Sequence, residues 1–307
     1  MEYQVSIIIV NYNTAKMLDD CIASVKEKTT DLDYEIIVVD NDSEKDSLSF
    51  LQNKYTDVRF LFSEENLGFG RANNLGANIA KGKYLFLLNP DTLLLNNAAL
   101  ALYNFMEYNP EVGICGGNMY KGDMSPASSY YDIDFLTLEY KIIFNKKRQT
   151  GFNHTEIPKE VNVIVGADLF ISKSLFDEFG GFDPDFFLYF EEVELCYRIQ
   201  KAGYKIMSVP DAEIVHLQGG SAENKNDELN KWSYQEHWYS KLIFFSKTKG
   251  RFKTALMYQI SLLKLKLAIL GFTVKKNTDK LEYWKKKADV MKKTYGRYQD
   301  YLKTKKY

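Results

Sequence analysis

The stretch K-Y-L-F-L-L-N-P-D-T, residues 83–92, organises this sequence. Residues 83–88 form a mostly apolar run of strand length, and such a run is typical of a strand that is buried on both faces of a parallel sheet. Pro90 lacks a backbone N–H, so the strand must end there. Asp91 then follows the carboxyl end of a central strand, where open α/β sheets bind ligands. A carboxylate at this place fits an ordinary turn, but it also fits a metal ion that carries a phosphate.

Outward from this stretch, apolar strand patterns alternate with helical patterns, which indicates βαβ units and a mostly parallel sheet. The predicted strands are 5–10, 34–40, 58–62, 83–88, 112–118, a pattern within 161–172, and two short strands at 205–209 and 213–216. The predicted helices run from Thr14 to about 28, from about 43 to 55, over 68–81 with Gly82 as C-cap, over 97–108 and 189–202, and from about 232 to the end. Residues 120–160 read as a long loop region with some helix.

Two predicted strands end in a carboxylate, at Asp40 and at Asp91. Parallel strands present their carboxyl ends at one edge of the sheet, so both acids should lie at that edge. One acid at a strand end is unremarkable, but two at the same edge favour a ligand site.

The cysteine spacing argues for a reducing compartment, and the charge is distributed unevenly along the chain. Its 307 residues include three widely spaced cysteines with no C-x-x-C pair, which argues against a disulfide or zinc framework. The N-terminus runs straight into a strand, so no signal peptide is expected. Residues 241–307 carry 19 Lys+Arg against 4 Asp+Glu, whereas residues 1–240 carry 21 against 37. A basic tail on an acidic body predicts an anionic surface as a partner.

Three further patterns are candidates for chemistry. The segment 65–76 contains Gly68-x-Gly70-x-x-Asn73, which is not the dinucleotide fingerprint, so its glycines either allow close packing or let Arg71 face a diphosphate at a helix N-terminus. Residues 190–198 place three glutamates in the first turns of a helix, where they complement the helix dipole or supply a general base. On a helix Glu191 and Glu194 share a face, while Glu192 points elsewhere.

His216 ends an apolar strand and precedes the glycine turn 219–221. A lone histidine is more often structural than a ligand, but a strand end beside a glycine turn suits either role.

The tail contains one long apolar stretch, residues 255–272, which Gln259, Lys264 and Lys266 interrupt. It is too polar to be predicted as a transmembrane helix. With lysines on both sides, it is better interpreted as amphipathic helices on an anionic bilayer. The alternative is a helical appendage that packs on the body with a solvated basic face. Nucleic acid is disfavoured as a partner because the acidic body would oppose it.

Six motifs in order resemble the family 2 glycosyltransferases, which have the GT-A fold, and are most similar to their rhamnosyltransferase-like members. They are V-S-I-I-I-V-N-Y-N, I-I-V-V-D-N-D-S, E-N-L-G-F-G-R-A-N-N-L-G, L-F-L-L-N-P-D-T, G-G-F-D-P-D-F-F-L-Y-F-E-E-V-E-L-C-Y-R and I-V-H-L-Q-G-G-S. The resemblance covers residues 4–221 and leaves the tail outside. It implies an α/β domain with a Rossmann-like, mostly parallel sheet over 1–225, followed by a basic helical extension over 226–307.

The resemblance also implies a role for individual residues in binding the donor. Asn11, Tyr12 and Asn13 would line the nucleotide pocket, and Asp40 would bond the pyrimidine base. Arg71 and Asn74 would lie near the donor.

The same resemblance implies a metal site and a catalytic base. Asn89-Pro90-Asp91 stands where the family has its D-x-D motif, so Asp91 should be the principal carboxylate ligand of Mn²⁺ or Mg²⁺, with His216 as a further ligand. Asn89 replaces the first acid and counts with the donor-binding residues. Glu191-Glu192 matches the family's Glu-Asp pair, whose second member is the base. Glu192 is one methylene longer than the usual Asp, so Glu191 stays a second candidate.

The resulting hypothesis is an inverting, metal-dependent transferase. It would move a sugar from dTDP-rhamnose or a UDP-hexose to a growing, lipid-linked or other cell-surface glycan, at the cytoplasmic face of the inner membrane. A sugar-phosphate nucleotidyltransferase is the rival enzyme, but it should carry a glycine-rich basic loop where this chain has N-Y-N-T-A-K. A catalytically degenerate glycan-binding or scaffold protein is the other alternative, and intact Asp91 and Glu192 argue against it.

Overall fold

The computed structural model describes residues 2–44, 48–132, 149–217 and 227–305, and the chain divides into two compact units. The sheet unit comprises Met1–Asp134, Arg148–Pro184 and Glu191–Glu223. The helical unit comprises Phe135–Lys147, Asp185–Phe190 and Asn224–Tyr307. The predicted domain boundary at 225/226 falls within residues 218–226, which lie outside the described residues, so that boundary stays a prediction.

Strands and helices of the sheet unit alternate as the sequence predicts up to residue 88, and among the described residues of 112–172 several strands follow one another directly. The strands are β1 Tyr3–Asn11, β2 Tyr34–Asp40, β3 Arg59–Phe62, β4 Gly82–Leu88, β5 Thr92–Leu94, β6 Val112–Tyr120, β7 Tyr130–Asp132, β8 Gln149–Gly151, β9 Lys159–Val161, β10 Val163–Ile164, β11 Asp168–Ser172 and β12 Lys205–His216. Its helices are α1 Ala15–Lys28, α2 Ser49–Lys54, α3 Phe69–Ile79, α4 Ala98–Tyr108, α5 Lys173–Glu178 and α6 Glu191–Lys201. The helical unit contains α7 Asp227–Lys249, α8 Arg251–Val274 and α9 Thr278–Thr304.

The central sheet runs in the order β3-β2-β1-β4-β11-β6-β12-β5, and β9 pairs with β12. Strands β1 to β4 are mutually parallel, but β11 is antiparallel to both of its neighbours and β5 is antiparallel to β12. The sheet is therefore mixed, with a parallel half made of the most apolar strands. The strand ends are aligned, because Asn11 pairs with Asp40 and Ile9 with Leu88. This register places Asp40 and the 89–91 segment at one edge, as predicted from the two strand-end acids.

A buried apolar cluster fills one face of this sheet beneath α1, α2 and α4. Ile7, Phe86 and Phe170 are fully buried within it. Each such side chain contributes about 1.5–3 kcal/mol on transfer from water. The consecutive apolar residues of β1 and β4 thus have the two-sided burial that fixes these strands in the middle of the sheet.

Four local expectations need correction. Gly82 is no helix cap, because α3 ends at Ile79 and Gly82 begins β4, where a Cβ atom would lie 2.4 Å from the Ser6 nitrogen. The region 161–172 contains the end of β9, then β10 and β11, rather than one strand. The two strands predicted within 205–216 are one strand, β12, with a register shift between Ser208 and Glu213. The loop predicted over 120–160 contains β7 and β8, and its residues 133–148 lie outside the described part.

The helical unit is held together by aromatic rings and by charged groups. The Tyr258 ring of α8 stacks on the Tyr295 ring of α9, with centroids 3.7 Å apart. The Asp185 carboxylate forms ion pairs with Lys247 at 2.6 Å and Lys305 at 2.7 Å, and it accepts a hydrogen bond from the Tyr301 hydroxyl at 2.8 Å. Within the described residues one helix, α8, is long and apolar enough to cross a membrane when judged by length and composition alone.

Candidate active site

The first cluster at the carboxyl edge joins the ends of β1 and β2. The Asn11 amide donates to the Asp40 carboxylate at 2.9 Å, and the Ser43 hydroxyl donates to the same Asp40 oxygen at 2.6 Å. The Thr14 hydroxyl donates to the side-chain oxygen Oδ1 of Asn11 at 2.8 Å. These bonds fix the orientation of the Asp40 carboxylate, which suits it to accept hydrogen bonds from a nucleobase. Ser43 belongs to the quoted motif I-I-V-V-D-N-D-S, but its role as an orienting donor was not predicted from the sequence.

The turn that follows β1 places the other two predicted pocket residues. Asn13 has a φ of 58°, in the left-handed region that asparagine tolerates better than most residues, and its N–H donates to the Ser43 hydroxyl at 3.0 Å. The Tyr12 side chain is 40% exposed, so an aromatic face is open to a ligand at this edge. The nucleotide-binding role of Asn11, Tyr12, Asn13 and Asp40 stays a prediction.

The start of α3 is tied to the same edge. The side-chain oxygen Oδ1 of Asn41 accepts from the Leu67 N–H at 2.8 Å, and Arg71 donates through Nε to the Leu67 backbone carbonyl at 2.8 Å. Asn74 is engaged at both ends of its amide, since it donates to the Phe182 carbonyl at 2.7 Å and accepts from the Phe182 N–H at 2.9 Å. Asn74 therefore anchors a turn of the backbone, and its predicted contact with the donor stays a prediction, as does that of Arg71.

The second cluster contains the predicted metal ligands. His216 pairs with Thr92 between β12 and β5, and the Leu217 N–H donates to the Asp91 carbonyl at 2.9 Å. This pairing brings His216 Nε2 to 3.3 Å from Asp91 Oδ1. The Asn89 backbone is held on both sides, because its N–H donates to the Ala167 carbonyl and its own carbonyl accepts from the Thr92 hydroxyl at 2.6 Å. Asp91 and His216 are 125 positions apart in the sequence, and only the fold brings them together.

This pair can supply two ligands to a divalent cation, one carboxylate oxygen and one imidazole nitrogen. His216 Nδ1 is buried without a hydrogen-bond partner among the described residues, so the ring has polar capacity that the protein itself does not use. The described part of the chain contains no group of three or more His, Cys, Asp or Glu side chains that could hold a metal by themselves. A cation at Asp91 and His216 would therefore need further oxygen ligands, and a diphosphate and water are suitable ones.

The third cluster is the start of α6. Glu191 and Glu194 are buried whereas Glu192 is half-buried, in agreement with the predicted faces of this helix. Burial, reinforced by the neighbouring charge of Glu192, raises the pKa of Glu191 well above its usual value. Glu191 Oε2 has no hydrogen-bond partner among the described residues. Burial and the charge of Glu192 therefore both disfavour the ionised form of Glu191.

Glu194 has a different task. Its two carboxylate oxygens share the single N–H of Arg198 Nε, at 2.7 and 2.8 Å. Arg198 also donates to the carbonyl oxygens of Phe179 and of Gly181, the latter at 2.7 Å. Through Arg198, this ion pair ties α6 to the turn at residues 179–181. The i, i+4 spacing of the two residues is the sequence signal for it, although the link to the turn carbonyls could not be predicted.

Glu192 lies beside the first residues of α3. An added Cβ on Gly166 would lie 3.6 Å from the Glu192 Cβ and 3.5 Å from the Phe69 ring, and one on Gly70 would lie 3.5 Å from the Glu191 Cβ. Gly70 thus allows α3 and α6 to approach closely, whereas Gly76 lies against Ile8 and Val39 of the sheet. Gly70 therefore has the close-packing role that the sequence offered as one alternative, and this role is compatible with a ligand site nearby.

Asp168 is a buried acid of this edge that the sequence reasoning missed. It opens β11 opposite Leu88, the last residue of β4. One of its oxygens accepts from the Gly117 N–H at 2.6 Å, whereas Oδ1 has no partner among the described residues. Burial raises the pKa of Asp168 well above its usual value. No sequence signal marked it, because it lies in an apolar strand pattern with no breaker beside it.

The fold of the sheet unit is that of the GT-A class of glycosyltransferases. A crystal structure of GalNAc-T7 with UDP, GalNAc and Mn²⁺ superposes with a TM-score of 0.62 and 20% sequence identity, over 80% of this chain and 50% of that chain. This likeness shows the fold.

The family model of glycosyl transferase family 2 matches residues 6–179, and the chain belongs to that family. Rhamnosyltransferase WbbL of Escherichia coli (strain K12) is 26% identical over 256 residues, which are 78% of this chain and 91% of that protein. The N-acetylglucosaminyl-diphospho-decaprenol L-rhamnosyltransferase of Mycobacterium tuberculosis (strain CDC 1551 / Oshkosh) is 26% identical over 244 residues, 70% of this chain and 76% of that one. The predicted class of enzyme, a rhamnosyltransferase-like member of this family, is thereby confirmed.

Proposed function

We propose that this protein transfers a sugar from a nucleotide-diphosphate donor to a hydroxyl of a growing cell-surface glycan, in a metal-dependent reaction that inverts the anomeric centre. The observation that carries the proposal is the Asp91–His216 pair, 3.3 Å apart at the carboxyl edge. This pair is the smallest protein contribution from which a diphosphate and a cation could complete a site.

Asp91 and His216 would hold the cation, and Mn²⁺ and Mg²⁺ are the candidates. When bound, such an ion neutralises the charge that builds on the departing nucleotide diphosphate. Asn89, fixed by its backbone bonds beside Ala167 and Thr92, orients the segment that presents Asp91. The Asp40 carboxylate, held by Asn11 and Ser43, would bind the pyrimidine base, and Tyr12 and Asn13 would line its pocket.

Glu192 is the proposed general base. It would take the proton from the acceptor hydroxyl as the oxygen attacks the anomeric carbon from the face opposite the leaving diphosphate. Because burial raises the pKa of the adjacent Glu191, a second negative charge beside Glu192 is disfavoured. A single displacement of this kind forms one glycosidic bond, breaks the sugar–phosphate bond and inverts the centre.

The donor and acceptor classes rest on similarity. The asparagine in Asn89-Pro90-Asp91 makes dTDP-rhamnose the first donor to test and UDP-hexoses the second. The name of the mycobacterial relative specifies a diphospho-decaprenol carrier, which supports a lipid-linked acceptor for this chain. The excess of Lys+Arg in residues 241–307 supports a peripheral position at the cytoplasmic face of the inner membrane.

Thermal unfolding with a panel of nucleotide sugars, in the presence of Mn²⁺, Mg²⁺ or a chelator, tests this function. One donor should raise the melting temperature in the presence of metal and do so much less with the chelator, because a ligand that binds only the folded state stabilises it. The same donor should then be hydrolysed slowly in solution or transferred to a glycan acceptor. Stabilisation without turnover would favour the scaffold alternative, and the absence of both would contradict the proposal.

A further inference from the structure

Helix α8, Arg251–Val274, exposes a continuous apolar stripe. The six large apolar side chains that form it are each at least half exposed: Phe252, Leu256, Leu263, Leu267, Leu270 and Val274. They follow one another at intervals of 4, 7, 4, 3 and 4 residues. At 3.6 residues per turn these intervals place all six within an arc of about 60°. We refer to these six residues as the α8 stripe.

The opposite side of α8 is covered by its own unit. Thr254, Met257, Tyr258, Leu262 and Leu265 are buried there. The Tyr258 ring stacks on Tyr295 of α9, and α8 also packs along α7. The stripe is therefore not a core face that happens to be exposed, because α8 already has a complete core face on its other side. A soluble surface seldom exposes so many large apolar side chains in one continuous patch.

Charge on both flanks of the stripe identifies its partner. Helical geometry places Lys253 and Lys264 on one side of the stripe and Lys266 on the other. Residues 241–307 as a whole carry 19 Lys+Arg against 4 Asp+Glu. Apolar residues bordered by lysines complement a surface that is apolar within and anionic outside, which is the interface of a bilayer that contains anionic lipid. A second copy of this chain would bring the same lysines face to face.

The covered face also decides between lying in the interface and spanning the bilayer. If α8 crossed the membrane, α9 would have to follow it, because the two helices pack together within the helical unit. Helix α9 carries eight Lys or Arg residues between Thr278 and Thr304, and buried cations are costly in hydrocarbon. This cost favours an α8 that lies parallel to the membrane surface over one that crosses the bilayer.

We infer that α8 lies in the plane of an anionic bilayer, with the α8 stripe inserted at the boundary between headgroups and acyl chains. This deepens the proposed membrane position by naming the surface and the lipid class, and it depends on that position only, not on the proposed chemistry.

Binding to sedimented vesicles of phosphatidylglycerol and phosphatidylcholine in equal parts, against vesicles of phosphatidylcholine alone, tests the inference. The full chain should bind the anionic vesicles, and the variant Leu263→Gln/Leu267→Gln/Leu270→Gln should bind them at least about tenfold more weakly. Ile157→Gln, which changes an equally exposed apolar residue of the sheet unit, should bind like the unmodified protein. Lys264→Gln/Lys266→Gln should weaken binding and reduce its sensitivity to salt.

Depth is measured with a fluorophore on Leu267→Cys, since all three native cysteines are buried. Quenchers placed near the headgroups should act more strongly than quenchers at the bilayer centre, and the protein should be extracted by high salt. Strongest quenching at the centre, together with resistance to extraction, would show a spanning helix and overturn the inference. Unchanged vesicle binding by the triple leucine variant would overturn it too, and so would a dimer in solution that this variant dissociates.

The Glu192→Gln variant separates this inference from the proposed function. It should bind vesicles like the unmodified chain while transfer is lost. If the unmodified chain shows no transfer to any acceptor but still binds through the α8 stripe, the proposed function fails and the membrane surface stands.

Discussion

The two edges of the central sheet use buried polar groups in opposite ways. At the amino edge, the buried Glu35 carboxylate accepts from the Ser6 hydroxyl at 2.7 Å, from the Lys81 N–H at 2.7 Å and from Arg59 at 3.1 Å. The Ser6 hydroxyl also accepts from the Gly82 N–H at 2.8 Å. At the carboxyl edge, Asp168, Glu191 and His216 each keep one buried polar atom without a partner among the described residues.

The two edges differ in whether every buried polar atom has a hydrogen-bond partner, and they do not differ in how deeply their acids are buried. Glu35, Asp168 and Glu191 are all less than 7% exposed. Leaving a buried polar atom unpaired costs about 1–3 kcal/mol, so a fold tolerates it where the atom has another use. Within the described residues of the sheet unit, the ionisable side chains that have a buried atom without a partner are Asp168, Glu191 and His216, all at the carboxyl edge. The amino edge stabilises the sheet, and the carboxyl edge keeps unused capacity where the proposed donor would lie.

Asp91→Asn is the substitution with the largest expected effect at the carboxyl edge. Loss of the proposed ligand charge should lower metal-stimulated transfer by about a thousandfold, since an ion contributes several kcal/mol of charge stabilisation. The shift in melting temperature caused by Mn²⁺ should disappear as well. Asp57→Asn, at an exposed ion pair with Lys26, is the matched control and should change neither quantity. Full activity and an intact Mn²⁺ shift in Asp91→Asn would remove the metal from this edge.

The next comparison sets two adjacent glutamates against each other. Glu192→Gln should lower kcat by about 10²–10⁴-fold, because a general base is lost, while donor-induced thermal stabilisation persists. Glu191→Gln should lower kcat by less than about tenfold, because an uncharged amide replaces a carboxyl whose ionised form is already disfavoured by burial. Steady-state kinetics of the two variants decide the assignment. A larger loss in Glu191→Gln would make Glu191 the base.

Much of the site was predictable because strand ends are written in the sequence. The apolar runs of β1, β2 and β4 stop at Asn11, Asp40 and Asn89, and a parallel arrangement then places all three at one edge. The mixed direction of the sheet was not predictable, since β11 is as apolar as a parallel strand and its reversal depends on pairing with β4 and β6.

The partners of individual side chains were beyond the sequence for a related reason. Asn74 was predicted near the donor from its motif, yet its amide is engaged by Phe182, which is 108 residues away. Asp168 gave no signal, because an acid in an apolar run looks like an exposed strand position until the opposite strands cover it. Periodicity records which face a residue occupies, whereas a hydrogen-bond partner far along the chain is set by tertiary packing alone.

The amino edge offers a change that should affect stability but not catalysis. Glu35→Ala leaves the Ser6 hydroxyl and the Lys81 N–H without their acceptor, and it should lower the free energy of unfolding by about 2–4 kcal/mol. The partly exposed Arg59 contributes little to this loss. Chemical denaturation measures the effect, and Glu35→Gln, which keeps one acceptor oxygen, should lose less. Turnover at 25 °C should remain normal in both, and a large loss of kcat would mean that this edge also serves the reaction.

The smallest expected effect concerns the pH dependence of stability at Asp168. Its folded pKa is raised well above the ordinary value of 3.8, so the folded state holds a proton that the unfolded state releases. Its contribution to stability is therefore complete below about pH 4 and is lost as the pH rises toward the folded pKa. Asp168→Asn cannot titrate, so its unfolding free energy should fall less steeply between pH 4 and pH 8 than that of the unmodified protein. Urea denaturation over this range, with the exposed Asp33→Asn as control, measures the difference. Parallel curves for Asp168→Asn and the unmodified chain would mean that the unpaired oxygen at this edge is hydrated, and the contrast between the two edges would then rest on Glu191 and His216 alone.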